Sequence, residues 1–268
     1  MKTLRPLLFA AIAAVTLYAC STVPLTGRSQ LSLVSDDQIN PAAAASYKEL
    51  LSSPSTKVVT SGTDAQRVKR IGGQLAVAIE KYLNANGYAN QYSFAWEFNL
   101  IQSPEINAWC MPGGKVAVYS GLLPVAQSDA GLAVVMGHEI GHAIARHSAE
   151  RMSQQLALQA GGTAVGAATG SKSAATQAIV GQLYGVGGQL ALLKYSRAQE
   201  TEADRLGLTF MAMAGYDPRQ AVAFWQRMAA QNKGGSPPEF LSTHPSDATR
   251  IANLQSLVPE ALKYYKGK

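Results

Sequence analysis

Val134-Val135-Met136-Gly137-His138-Glu139-Ile140-Gly141-His142-Ala143-Ile144 sets His-Glu-x-x-His inside an apolar, helix-compatible run. On a helix, residues four apart lie one turn above each other, so His138 and His142 share a face. Two imidazoles at that spacing can bind one zinc ion, and Glu139 lies near enough to reach a water on the metal. With four His and ten Glu in 268 residues, only about 0.002 chance matches to this pattern are expected. The competing interpretation is two solvated histidines on an ordinary amphipathic helix. Val134, Val135, Met136, Ile140, Ala143 and Ile144 argue for burial instead. Buried imidazoles and a buried carboxylate are costly unless paired or metal-bound.

The chain's length and its 47% of hydrophobic residues suit one or two domains with a substantial core. Its formal charge of +6 falls to about +4 if Lys2 and Arg5 are removed with a leader. A balance so mildly basic gives no indication of nucleic-acid binding. Lys2 and Arg5 form the charged start of a secretory signal, and Leu7 to Leu17 an apolar stretch too short to span a bilayer comfortably. Leu17-Tyr18-Ala19-Cys20 resembles a bacterial lipobox, so residues 1–19 are expected to be a lipoprotein-type signal peptide and Cys20 to carry lipid. In a bacterium with two membranes this implies anchoring to the outer membrane on its periplasmic face. Ordinary cleavage near Ala19, giving a soluble periplasmic protein, is the alternative. Cys110 is the one other cysteine; no structural disulfide is expected, and Cys110 reads as a small buried residue.

Along the chain, Ser35-Asp36-Asp37-Gln38 and Thr63-Asp64-Ala65-Gln66 are capping boxes, opening helices to about Leu51 and Leu83. Tyr92 to Phe98 alternates in strand fashion up to Ile101. Ile106 to Met111 and Lys115 to Ser120 are further strands about the turn Pro112-Gly113-Gly114. They form a small sheet ahead of the motif helix. An edge of such a sheet can hold a peptide by strand addition, and Asn107, Ala108 and Trp109 are placed at that edge, although Trp109 also reads as a core residue. Ser128 caps a helix expected to run from Asp129 to about Gln159. Residues 160–190 are Gly/Ala-rich and nearly uncharged: a lid, a membrane-facing loop, or close helix contacts. Ser196 to Gln199 is another capping box. Asp217-Pro218 opens a helix to about Gln231, Lys233 to Pro238 is a linker, and Ser246 caps a last helix ending near Val258.

A catalytic zinc keeps three protein ligands and one open position, so a third ligand is needed. Glu200 is the choice, in the first turn of the helix capped by Ser196. Glu200 and Asp204 share a face, so one carboxylate can ligate while Asp204 accepts a hydrogen bond from a ligand histidine's second nitrogen. A salt bridge from Asp204 to Arg205 or Arg250 is the alternative. Glu202 lies about 200° from Glu200, on the opposite face. His147, about 140° beyond His142 on one continuous helix, falls off the metal face and reads as a surface or second-face histidine.

His138-Glu139-Ile140-Gly141-His142, Ser196-Arg197-x-x-Glu200-x-Glu202-Ala203-Asp204-Arg205-x-Gly207 and Ile106 to Gly114 together resemble metallopeptidase family 48. This gluzincin family includes HtpX, the CAAX-prenyl endopeptidases and the Oma-type proteases. Thr26-Gly27-Arg28 and Leu31 to Ser35 resemble the start of its periplasmic LoiP- and BepA-like lipoprotein branch. The similarity spans roughly residues 24–258. It implies an α+β, mainly α, zincin-like fold, with a small β-sheet packed on the His-Glu-x-x-His helix. Residues 1–19 would be the signal peptide, 20–62 a lipidated segment and first helix, and 63–268 the zinc metalloprotease domain. It also implies one zinc on His138, His142 and Glu200, with Glu139 as general base. The activity implied is endopeptidase cleavage of misfolded or unassembled envelope proteins, with the membrane reached through lipid on Cys20. There are no long apolar segments of the HtpX kind and no C-terminal helical repeats of the BepA kind, so the site is expected to face the aqueous periplasm.

Thr243-His244-Pro245-Ser246 resembles a His-Pro element of the same family. Extended backbone before proline can project His244 into the cleft, to donate to the developing oxyanion or to occupy the metal and hold the enzyme closed; a surface histidine is the alternative. Two rival functions remain open. A peptide-deformylase-type enzyme would use Cys110 as third ligand, although the residues around Cys110 are not of that type. A chaperone or assembly factor for outer-membrane proteins would keep the protease site latent.

Overall fold

The computed structural model describes residues 20–162, 195–231, 238–244 and 248–267. The expected signal peptide, most of the Gly/Ala-rich stretch, nearly all of the linker before Pro238 and the cap at Ser246 lie outside these residues.

Strands β1 (Cys20–Thr22) and β2 (Ser29–Leu31) form an antiparallel hairpin. Helix α1 (Asp36–Ser52) follows, its start fixed by Ser35 donating its backbone N–H to the Gln38 side chain at 3.1 Å. Strand β3 (Val58–Val59), helix α2 (Thr63–Ala85) and strands β4 (Glu97–Ile101), β5 (Ala108–Met111) and β6 (Lys115–Tyr119) come next. The four-stranded sheet has the order β3-β4-β6-β5, with β4 and β6 parallel and the other pairs antiparallel. Helices α3 (Leu123–Ala126), α4 (Asp129–Ile144), α5 (His147–Gly162), α6 (Arg197–Met213), α7 (Gln220–Ala230), α8 (Glu239–Thr243) and α9 (Ala248–Leu262) complete the described chain.

α4 is buried along nearly its whole length because it is the central element. It packs against β5 and β6, against α2, and above all against α6. Glycines let α4 and α6 cross backbone to backbone. A Cβ on Gly141 would stand 2.7 Å from the Ala203 carbonyl oxygen, and one on Gly207 would stand 2.7 Å from the His138 nitrogen. Neither obstacle is a side chain that can turn away. Gly207→Ala is therefore expected to destabilise the chain by about 1–3 kcal/mol, the usual cost of overpacking, as measured by urea unfolding. On the other side of the sheet, the Tyr47 hydroxyl of α1 donates to the Val116 carbonyl at 2.8 Å, and its ring meets Trp109 edge-on at 5.6 Å. Trp109 is thus a core residue.

Several element boundaries differ from expectation. The ladder of β4 begins at Glu97, although the alternation from Tyr92 is real: Tyr92, Phe94, Trp96 and Phe98 stack successively at 5.6, 4.4 and 5.9 Å. β5 begins at Ala108 rather than Ile106, α2 is capped by Gly62 and begins at Thr63, α7 begins at Gln220, and α9 passes through Pro259 to Leu262. Cys110 is half-buried and free. The largest difference is that the expected helix from Asp129 to Gln159 is two helices. Arg146 takes φ 53° between them. Its guanidinium bonds Asp36 at 2.7 Å and lies 4.2 Å from the centre of the Tyr92 ring, so contacts remote in sequence impose the break. Residues past the break no longer follow the angular count of α4, and His147 is fully buried rather than at the surface.

Candidate metal centre

Two capped helices, α4 and α6, carry most of the site. Ser128 accepts the Gly131 N–H at 3.1 Å and Ser196 accepts the Gln199 N–H at 3.2 Å, fixing where each helix starts. Their crossing then sets His138, Glu139 and His142 of α4 against Glu200 and Asp204 of α6. His244, just past α8, and Arg250 of α9 complete the cluster.

His138, His142, Glu200 and His244 are buried, and each offers a ligand atom within 4.8 Å of the others. The Nε2 atoms of His138 and His142 are 3.1 Å apart. Glu200 places Oε2 3.5 Å from His138 Nε2 and Oε1 3.4 Å from His142 Nε2. His244 Nδ1 lies 2.9 Å from Glu200 Oε1 and 3.2 Å from His138 Nε2. Among the described residues this is the one group of three or more such side chains that could hold a metal, and Cys110 is not in it.

The donor set fits a zinc ion. Asp204 Oδ1 lies 2.9 Å from His138 Nδ1 and accepts a hydrogen bond from its N–H, which leaves Nε2 as a lone pair facing the Glu200 carboxylate. Arg250 already places one cation here, with Nη1 2.8 Å from Glu200 Oε2 and Nη2 3.3 Å from His138 Nε2, and a metal would join the His138 and His142 Nε2 atoms, 3.1 Å apart, to the same carboxylate. Imidazole nitrogens and one carboxylate are the ordinary ligands of a hydrolytic zinc. Beside them, Glu139 is buried and its Oε1 makes no hydrogen bond; His244 Nε2 is 3.5 Å away.

Burial governs the electrostatics. It pushes the Glu139 carboxyl up to about 7. Burial, aided by the Arg250 charge, pushes His138 down to about 4 and keeps its ring neutral. Burial alone would raise Glu200, but the His244 charge and the His244 hydrogen bond hold it well below the carboxylate range. Burial opposes charge on His244 as well, yet Glu139 and Glu200 outweigh it and raise its pKa.

Asp204 does both things considered for it. It bonds His138, and it forks onto Arg250 through Nε at 2.9 Å and Nη2 at 2.7 Å. Arg250 Nη1 also reaches Glu200 Oε2 at 2.8 Å, and the guanidinium lies 3.4 Å from the centre of the Trp225 ring. Sequence reasoning missed this scaffold role, and missed Tyr195, whose ring stacks on His142 at 3.9 Å. It also misplaced His147, whose Nδ1 is 2.8 Å from His142 Nδ1. Three of the four histidines falling within ten residues was the available signal. At the sheet edge, β5 lies against α4 and Cys110 feels the Glu139 charge. The Ala108 N–H is already taken by Asn107 Oδ1 at 2.9 Å.

A mainly helical fold, a small mixed sheet and a buried His-His-Glu cluster on a His-Glu-x-x-His helix define a zincin-like metallopeptidase. The profile of peptidase family M48 matches residues 65–258, and the chain belongs to that family. It is 33% identical to the mitochondrial metalloendopeptidase OMA1 of Schizosaccharomyces pombe over 89% of this chain and 66% of that one. It is 34% identical to the mitochondrial metalloendopeptidase OMA1 of Bos taurus over 90% of this chain and 46% of that one. The beta-barrel assembly-enhancing protease of Escherichia coli is 33% identical over 66% of this chain and 38% of its own length. The chain thus spans about half to two thirds of the curated relatives it matches most fully.

These matches overturn the expected outer-membrane placement. The relatives aligned over 89–90% of the chain are mitochondrial enzymes, and the bacterial one is matched over less of it. A basic, apolar leader marks export in general and does not by itself fix a compartment. Cys20, read as a lipid carrier, opens β1 opposite Leu31. No helix among the described residues is long and apolar enough to cross a membrane.

Proposed function

We propose that the chain is a zinc-dependent endopeptidase acting on unfolded or unassembled polypeptides, with zinc on His138, His142 and Glu200. The observation that carries this reading is the convergence of buried donor atoms within 4.8 Å beside a buried Glu139. Bound zinc supplies Lewis acidity, polarising the scissile carbonyl and lowering the pKa of water to about 7. Glu139, itself raised to about 7, takes a proton from the attacking water at Oε1 and returns it to the departing amine. Asp204 and Arg250 hold His138 and Glu200 in place. The outer edge of β5, beyond Ala108, lines up the peptide as an added strand.

The test is cleavage of casein by the zinc-loaded chain, its loss on chelation and its return with zinc. Cleavage that persists after complete metal removal would refute the reading.

His244 supports a latent form. Its Nδ1 stands 3.2 Å from His138 Nε2 and 2.9 Å from Glu200 Oε1, so neutral His244 would serve as a fourth donor to the metal and keep the resting enzyme closed. His244→Ala is accordingly expected to raise the rate of casein cleavage. A fall would assign His244 to oxyanion stabilisation instead. A chaperone-like role would show as substrate binding that survives Glu139→Gln.

A further inference from the structure

Glu202 and His147, unused by the mechanism, form a second buried polar chain that ends on a metal-site histidine. His142 Nδ1 lies 2.8 Å from His147 Nδ1, and His147 Nε2 lies 2.9 Å from Glu202 Oε2. Glu202 also accepts from Thr26 Oγ1 at 2.5 Å and from Arg28 Nε at 2.6 Å. We propose that His147 and Glu202 are positioning residues that fix His142 as its Nδ1–H tautomer, and that the N-terminal hairpin, through Thr26 and Arg28, is a working part of this device. The inference rests on His142 being a metal ligand.

The direction of each hydrogen bond follows from the far end of the chain. Glu202 takes a hydrogen bond from the Thr26 hydroxyl and an ion pair from Arg28 Nε at 2.6 Å, so its two oxygens are set as the acceptors of a carboxylate. An ionised carboxylate only accepts, so His147 donates from Nε2. Were His147 a cation, its Nδ1 would donate as well, and the neutral His142 would have to carry its own proton on Nε2, where it could not ligate. A neutral His147 instead presents a bare Nδ1, so His142 Nδ1 is the donor. The His142 Nε2 lone pair is then left facing Glu200 Oε1 at 3.4 Å and His138 Nε2 at 3.1 Å. The two imidazoles are thus set by separate carboxylates, His138 directly by Asp204 and His142 by Glu202 through a second ring. Partners of this kind fix ligand tautomers at metal sites.

The hairpin is built to reach Glu202. Gly27, at φ 70°, closes the turn with Gly27 N–H to the Val23 carbonyl and Val23 N–H to the Arg28 carbonyl, each 2.9 Å. Thr26 and Arg28 flank that glycine and both bond Glu202. Arg28 continues to Glu150 of α5 at 2.8 and 3.0 Å, and Glu150 accepts from Gln199 of α6 at 2.9 Å. One arginine therefore ties together the two helices that supply His147 and Glu202. The Thr26-Gly27-Arg28 motif gains a physical role from this arrangement.

The test uses the full chain with zinc alone, titrated against a chromophoric chelator. His147→Phe and Glu202→Leu are expected to weaken zinc binding by about 10–100-fold. Glu202→Gln, whose amide oxygen still accepts, should retain more of the affinity. In the metal-free protein, long-range proton–nitrogen spectra of the four imidazoles should show His142 as Nδ1–H in the wild type and lose that preference in His147→Phe. A merely structural role would lower stability without moving the tautomer. Unchanged zinc affinity in folded Glu202→Leu, or a wild-type His142 protonated on Nε2, would overturn the proposal. If His147→Phe does not fold, the Glu202 pair and the wild-type spectrum decide. A wild type that binds no zinc would refute the metal site and this relay together, whereas normal zinc binding with no effect of these variants refutes the relay alone.

Discussion

Glu139→Gln is expected to lower kcat for casein by about 10²–10⁴-fold, the usual contribution of a positioned general base, while zinc content and the unfolding midpoint stay close to wild type. Gln is nearly isosteric with Glu and cannot take a proton. Glu139 Oε1 makes no hydrogen bond in the structure, so the change breaks none there and removes only the charge that faces His244 Nε2 at 3.5 Å. The variant should be read in both the wild-type and the His244→Ala backgrounds, so that a closed resting state does not mask the difference. A Glu139→Gln chain that cleaves at the wild-type rate would remove the carboxylate from the mechanism.

Arg250→Ala is expected to destabilise the metal-free chain by about 3–5 kcal/mol, the cost of breaking a buried ion pair by deleting one partner. The guanidinium is buried against Trp225 and bonds both Asp204 and Glu200. Without it, two buried carboxylates lose their shared cation. Arg250→Lys should recover only part of the loss, because an ammonium cannot form the planar fork. Saturating zinc should narrow the gap between Arg250→Ala and wild type if the ion binds beside Glu200, since it supplies the positive charge that the variant lacks and so stabilises the variant's folded state more than the wild type's. Urea unfolding with and without zinc gives both numbers. Equal midpoints for Arg250→Ala and wild type would show that the arginine carries no such charge balance.

The catalytic half of the site was legible because its spacing is local. Two histidines four apart on an apolar helix, and a carboxylate in the first turn after Ser196, depend only on helical geometry and caps. What could not be read depends on neighbours. Nothing in Ile144-Ala145-Arg146-His147 marks a helix end, with neither Gly nor Pro present. The break is held by Asp36 and Tyr92, far away in sequence, so the angular count that set His147 apart from the metal face did not apply. Glu202 does lie opposite Glu200, as the periodicity required. Periodicity identifies a face but not what covers it, and here the cover is the N-terminal hairpin and His147. Arg250 was legible only as one possible partner for Asp204, because its bonds to Asp204 and Glu200 and its stacking on Trp225 arise from helices packed far along the chain. The close crossing of α4 and α6 was hidden too, since Gly141 and Gly207 show their purpose only once both backbones are in place.

The proposed mechanism depends on one zinc ion held by His138, His142 and Glu200. X-ray absorption at the zinc edge of the loaded chain tests it most directly. The expected result is a shell of nitrogen and oxygen only, with imidazole nitrogens at about 2.0–2.1 Å and carboxylate oxygen at about 2.0–2.2 Å. A sulfur shell at about 2.3 Å would bring Cys110 into the site and contradict it.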